Sequence, residues 1–179
     1  MLNLLIHCGA SRVDRNQVER TATPSRTQTW VPISHARLLD LVEGALQGHG
    51  LHVLNQAHGL WGDGQRYFGL MEVQNGQAHD DYGLVLGIRN SHDKSFPASI
   101  GLGSGVFVCD NLAFSAKATI ARKHTRFIKR DLPQLVNRAV GRLTDMRVRQ
   151  DQRIEAYKAT TLRDCRVRDL VIRAVADGV

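Results

Sequence analysis

The run YGLVLGIRN, residues 82–90, is the stretch around which the predicted fold is organised. From Leu84 to Ile88 every residue is apolar or glycine, on both alternating sets of positions, which is typical of a strand buried on both faces. The run follows the Asn75-Gly76 pair, and Asn-Gly favours the tight turn of a β-hairpin. We therefore place this strand at the centre of an antiparallel sheet.

Other strand patterns lie on both sides of this central run. Residues 51–57, 66–73 and 105–109 favour strands, and Asp63-Gly64 supplies a second turn signal. The glycines within 101–105 lack the following helix and the Lys-Ser/Thr pair of a phosphate-binding loop, so we interpret them as the approach to the strand at 105–109. The sequence thus predicts an antiparallel meander of about four strands.

Helices are predicted before and after the meander. Residues 34–48 carry an apolar stripe at helical spacing, with Ser34 as the N-cap. A long helix opened by Asp131 is expected to run on to Tyr157, and a last helix is expected to follow Thr161-x-x-Asp164. The predicted fold class is α+β, with an N-terminal helix, the meander and C-terminal long helices.

The length of 179 residues fits one domain, or one domain with a helical appendage. We divide the chain into an extended or mobile arm (1–30), an α+β core with the antiparallel sheet (31–130) and a basic helical segment packing on that core (131–179). No apolar run approaches the roughly 20 residues that span a bilayer. The first residues lack the basic region of a secretory signal, and three widely spaced cysteines suggest neither a disulfide framework nor a zinc knuckle. We expect a cytoplasmic protein without a membrane partner.

The net charge of +7 is unevenly distributed. Residues 121–179 hold 15 Lys+Arg and 7 Asp+Glu, a net of +8, whereas residues 1–120 have a net of −1. Such asymmetry indicates a polyanionic partner, and Arg, which outnumbers Lys here, suits bidentate phosphate contacts. The competing interpretation is a solvated helical face that keeps the protein soluble.

The densest basic stretch surrounds Phe127. Basic residues interleaved with aromatic side chains are typical of grooves that bind single strands, although a Phe more often packs in a core. We expect nucleic acid, in the form of single-stranded DNA, as the partner. The predicted contacts are Arg89, Lys94, Arg122, Lys123, Arg126, Lys129 and Arg130.

Three polar clusters interrupt the apolar pattern at strand ends, where sites are commonly built. They are residues 89–94, 109–111 and 123–126. The candidate catalytic residues there and at the start of the first helix are His35, His92, Asp93, Asp110 and His124.

Two kinds of role are open for these side chains. Asp93, Asp110 and His124 are candidate ligands of a divalent metal that would activate water, with His35 or His92 as general base. Alternatively Asp93 forms a turn and Cys109 is a small core residue. No cofactor is expected outside the metal alternative.

The same clusters resemble the domain-of-unknown-function 932 family. The similarity spans about residues 24–176, and the stretches that carry it are TWVPISHARLLDLVE (29–43), YFGLMEV (67–73), LVLGIRNSHDKS (84–95), GSGVFVCDNLAF (103–114) and RKHTRFI (122–128). The resemblance implies carriage on phage-like and plasmid-like mobile elements, without an assigned reaction. The polar residues it carries over are His35, Arg89, Asn90, Ser91, Asp93, Cys109, Asn111, His124 and Thr125.

A vaguer similarity of fold links the predicted helix and meander to ring-forming single-strand annealing proteins, which would imply a homo-oligomer. The leading hypothesis is a nucleic-acid-binding protein of a mobile element, acting as an annealing or recombination accessory. The alternatives are a metal-dependent hydrolase or nuclease acting on nucleic acid, and a structural or interaction protein.

Overall fold

The structure, a computed structural model, describes residues 9–74, 82–106 and 118–176. Its main element in these residues is a six-stranded antiparallel sheet, in which the strands lie side by side in chain order. The strands are β1 (Ser11–Val13), β2 (His52–Trp61), β3 (Arg66–Gln74), β4 (Tyr82–Ser91), β5 (Ala98–Val106) and β6 (Ala118–Arg122).

The predicted central strand is β4, which pairs with β3 on one side and β5 on the other. The predicted strand count was too low, because β1 and β6 are short and β5 begins at Ala98 instead of residue 105. The glycines of β5 lie opposite glycines of β4, with Gly87 facing Gly101 and Gly83 facing Gly105. These pairs remove the side-chain alternation by which a strand is recognised.

The turn between β2 and β3 lies where Asp63-Gly64 predicted one. Three successive residues, Gly62, Asp63 and Gly64, have φ angles of 61°, 54° and 77°. Asp is among the few side chains that tolerate this left-handed conformation. The Asn75-Gly76 turn lies outside the described residues.

The described residues also form four helices: α1 (Arg15–Arg20), α2 (His35–Gly48), α3 (Ile128–Lys158) and α4 (Asp164–Ala176). The prediction for α2 is confirmed, including the cap, since the Ser34 hydroxyl accepts a hydrogen bond from the Arg37 amide. Within the stretch that was predicted to be an arm, Ser11–Val13 form β1 and Arg15–Arg20 form α1. A capping box between Asp14 and Gln17 opens α1, and Val18 is fully buried.

The long helix α3 begins at Ile128, three residues before the predicted start. Asp131 therefore lies in its first turn and does not cap it. The buried side chains of α3 form one stripe, which explains why helical spacing was visible in the sequence. They are Ile128, Leu132, Val136, Ala139, Val140 and Leu143.

The chain divides into two compact units, residues 1–144 and 145–179. The first contains the sheet, α1, α2 and the first part of α3. Within the second, no described residue is buried, and the apolar side chains of α4 are exposed. None of the described helices contains a stretch long and apolar enough to cross a membrane.

Candidate nucleic-acid interface

The basic residues predicted around Phe127 lie at the end of β6 and the start of α3. We call Arg122, Lys123, Arg126, Lys129 and Arg130 the basic cluster. Phe127 is 42% exposed, so the core alternative for this ring is wrong. The guanidinium carbons of Arg126 and Arg130 lie 4.5 and 4.6 Å from its ring centre. Phe127 is thus a surface aromatic bordered by cations.

Two members of the basic cluster are partly neutralised. Arg122 and Arg130 both form ion pairs with Asp131. Hydrogen bonding from Arg130 lowers the pKa of Asp131, so this carboxylate is ionised at neutral pH. Lys123, Arg126 and Lys129 are exposed, and the cluster keeps a strong excess of positive charge over its one carboxylate.

A second aromatic residue, Trp30, lies beside the start of the basic cluster. An isolated antiparallel bridge joins Trp30 to Thr125, and the Val31 amide donates to the His124 carbonyl over 3.0 Å. The ammonium nitrogen of Lys94 is 5.0 Å from the centre of the Trp30 ring. Lys94 and Thr125, both singled out in the sequence, therefore contribute to one surface with Trp30, which sequence reasoning missed.

A third aromatic group occupies the sheet face near the end of β4. The Arg89 guanidinium carbon is 4.2 Å from the Phe96 ring centre, and the Trp61 and Phe96 ring centres are 5.9 Å apart at 28°. We call Trp61, Arg89 and Phe96 the Phe96 patch. Phe68 is the register partner of Arg89 and so projects from the same face.

The loop between β4 and β5 carries Lys94 and Phe96 and is held by side-chain hydrogen bonds. The Ser91 hydroxyl accepts from the Phe96 amide and donates to the Phe96 carbonyl. Asp93 accepts from Arg66 over 2.6 Å and from the hydroxyl and amide of Ser95. Partial burial opposes ionisation of Asp93, but these hydrogen bonds outweigh it and lower the pKa to about 2.

Four buried polar residues form a cluster around the backbone of Ile33. We call His35, Asn90, His92 and His124 the histidine cluster; each is at most 5% exposed. The Ile33 amide donates to Nδ1 of His124 (3.2 Å). The Ile33 carbonyl accepts from the Asn90 amide (2.8 Å) and from Nε2 of His92 (2.9 Å). The cluster thus fixes the segment that carries Trp30.

The rings of the histidine cluster are neutral at pH 7. His35 and His92 stack with ring centres 4.0 Å apart at 8°. Burial, followed by the charge of His92, lowers the pKa of His35 to about 3, and burial also lowers the pKa of His92 and of His124. Nδ1 of His35 accepts from Asn90 at 2.9 Å, so Nε2 carries the proton and donates to the Gly64 carbonyl.

The structure brings together three of the five candidate catalytic residues, His35, His92 and His124, but encloses them and bonds each to backbone. Asp93 is bonded to Arg66 and Ser95 instead. Asp110, together with Cys109 and Asn111, lies outside the described residues. Across 9–74, 82–106 and 118–176, no group of three or more His, Cys, Asp or Glu side chains is arranged to hold a metal ion.

The chain matches the family model of a domain of unknown function (DUF932) over residues 23–177 and belongs to that family. The strand β1 and the helix α1 precede the matched region. Comparison with curated proteins and with solved structures gives no match.

Proposed function

We propose that this protein binds single-stranded nucleic acid, with the basic cluster, Phe127 and Trp30 as the contact surface. The observation that carries the proposal is the exposed Phe127 ring, which has the guanidinium carbons of Arg126 and Arg130 at 4.5 and 4.6 Å from its centre. The biological setting in this proposal is a phage-like or plasmid-like mobile element, where the protein serves as an annealing or recombination accessory.

The chemistry of the surface suits unpaired bases. An aromatic ring offers about 1–3 kcal/mol per stacked base, irrespective of sequence. The neighbouring cations neutralise phosphates, and the release of their counterions makes affinity fall steeply with salt. Bases in a duplex are already stacked on one another, so they cannot use the ring without being unpaired first. The proposed surface therefore favours single strands over duplexes.

The test is a fluorescence anisotropy titration of labelled single-stranded DNA, RNA of the same sequence and the matched duplex. Arg126 and Lys129 are both changed to Ala, because both are exposed and neither pairs with Asp131. The matched control is the Arg138→Ala, Arg142→Ala protein, which loses two exposed Arg from the same helix. We expect single strands to bind roughly tenfold more weakly to the first variant and unchanged to the control.

The ring is tested separately from the charge. Phe127→Leu keeps an apolar side chain and removes the stacking surface, so it should weaken single-strand binding and leave any weak duplex binding unchanged. Equal affinity for duplex and single strand in the original protein would contradict the proposal. So would unchanged affinity in the Arg126→Ala, Lys129→Ala protein. The comparison of DNA with RNA then defines the class of strand.

A further inference from the structure

The Phe96 patch is linked to the Trp30 surface by a single short loop. Lys94 contacts Trp30, and Phe96, two residues later, contacts Trp61 and Arg89. The backbones of Lys94 and Phe96 are at most about 7 Å apart, so one short loop at the end of β4 contacts both groups of rings. Trp30 in turn is bridged to Thr125, two residues before Phe127. Aromatic rings thus follow one another from Phe127 through Trp30 to Phe96.

Each ring on this route has its own cation. Arg126 and Arg130 border Phe127, Lys94 borders Trp30, and Arg89 borders Phe96. Four of the five cation–π contacts among the described residues lie on it. A nucleic-acid strand repeats a flat base and a phosphate, and this surface repeats the two complementary groups.

The surface is also fixed before any ligand binds. Ser91 bonds both backbone groups of Phe96, and Asp93 joins the loop to Arg66. At the other end, the histidine cluster holds Ile33, three residues after Trp30. Groups that are already ordered lose little conformational freedom on binding, so the rings can act together on one strand.

We infer that the Phe96 patch is a second stacking site on the same strand, so that the preferred ligand is a single strand long enough to reach from Phe127 to Trp61. This inference rests on the proposed function and extends it. A short strand occupies only the Phe127 and Trp30 surface, whereas a longer one also places bases on Phe96 and Trp61 and a phosphate on Arg89. The protein should therefore discriminate by strand length.

The test compares oligonucleotides of about 4 and about 16 nucleotides, the limits of common single-strand site sizes. The variant is Arg89→Gln, Phe96→Leu, which removes the cation and the ring but keeps the loop's backbone hydrogen bonds. The control is Leu54→Ala, an exposed apolar residue on β2, the strand that ends at Trp61. We expect roughly tenfold weaker binding of the longer strand to the variant, unchanged binding of the shorter strand, and no effect in the control.

A second measurement, tryptophan fluorescence, reports directly on contact between a base and Trp61. Trp30 and Trp61 are the two tryptophans of the chain, so Trp30→Phe leaves Trp61 as the sole indole. Stacking of a base should quench Trp61 fluorescence with the longer strand and not with the shorter one. Unchanged binding of the longer strand to Arg89→Gln, Phe96→Leu, with no quenching, would overturn the inference. The proposed function would still stand if Arg126→Ala, Lys129→Ala weakened that strand, and both would fail if it did not. If Arg89→Gln, Phe96→Leu lost the same factor of affinity for the shorter and the longer strand, the assignment of two stacking sites would also be overturned.

Discussion

At the scale of single residues, the clearest constraint is Gly69 in β3. The neighbouring Tyr67 hydroxyl bonds Nδ1 of His58 over 2.9 Å, and His58 is the register partner of Gly69. A Cβ atom at Gly69 would come within 2.4 Å of the Tyr67 oxygen and 3.0 Å of its Cζ. Burial raises the pKa of Tyr67 and lowers that of His58, so both groups are neutral partners at pH 7. The glycine makes room for this pair.

We predict that Gly69→Ala destabilises the protein by about 1–3 kcal/mol, because the buried Tyr67 ring must move and its hydrogen bond must lengthen. Gly44→Ala is the control, since nothing lies within 4 Å of a Cβ at this position in α2. There alanine should stabilise by about 0.5–1 kcal/mol through helix propensity. Urea midpoints of the two variants measure both effects, and a Gly69→Ala midpoint equal to that of the original protein would refute the packing argument.

At the scale of elements, the sequence predicted those that have a clear period and missed those that are too short or too rich in glycine. The strand β4 and the helix α2 have long apolar patterns and recognisable turns or caps, so both were predicted. The strand β1 has three residues and β6 has five, too few for a pattern. In β5 the glycine pairs with β4 conceal the start of the strand.

The site could be predicted only in part, for a related reason. The basic cluster is contiguous in sequence, so composition alone located it. The histidine cluster joins residues that are 55 to 91 positions apart, as in the His35–Asn90 and Ile33–His124 hydrogen bonds. These residues come together because of the order of the strands and the packing of the helices, neither of which can be predicted from local sequence patterns. For the same reason, local sequence patterns did not identify Trp30, Trp61 and Phe96 as site residues.

The histidine cluster makes folding dependent on pH. In the folded protein His35, His92 and His124 have pKa values lowered from 6.5, that of His35 to about 3. Their contribution to stability is complete above pH 6.5 and is lost as pH falls through and below this value, because only the unfolded chain then takes up the protons. Each neutral ring adds a slope of up to about 1.4 kcal/mol per pH unit. The pKa of Asp93 is lowered from 3.8, so its contribution to stability changes only at lower pH.

We therefore predict that the urea midpoint falls steadily between pH 7 and pH 5, where His35 alone should cost about 2 kcal/mol of unfolding free energy and His92 and His124 should add to the loss. His92→Gln should reduce the slope of stability against pH, since glutamine can still donate to the Ile33 carbonyl but does not titrate. The same substitution at an exposed histidine on β2, His52→Gln, is the matched control. A midpoint that is constant over this range would show that the rings are not buried as neutral groups.

At the scale of the whole molecule, the positive charge of the last third divides unequally between the two units. Residues 121–144 hold 7 Lys+Arg and 1 Asp+Glu, a net of +6. Residues 145–179 hold 8 and 6, a net of only +2, and include the ion pair between Arg147 and Asp151. Most of the excess positive charge that suggested a polyanionic partner therefore lies in the first unit, which also contains the basic cluster.

We predict that a chain ending at Gln150 folds and binds single strands like the full chain. It keeps every buried residue of α3 and almost two further turns beyond Leu143, which protect that side chain from fraying at the new end. The removed residues, 151–179, hold 6 Lys+Arg and 5 Asp+Glu, a net of +1, and none of those described is buried. The urea midpoint should be unchanged, and the affinity for the longer strand should stay within about threefold, because few phosphate contacts are lost.

The shortened chain with Arg126→Ala and Lys129→Ala is the matched control and should lose binding as the full chain does. If the shortened chain folds but binds roughly tenfold more weakly than the full chain, the cations of residues 151–179 supply the contacts and the basic cluster has been assigned too much of the affinity.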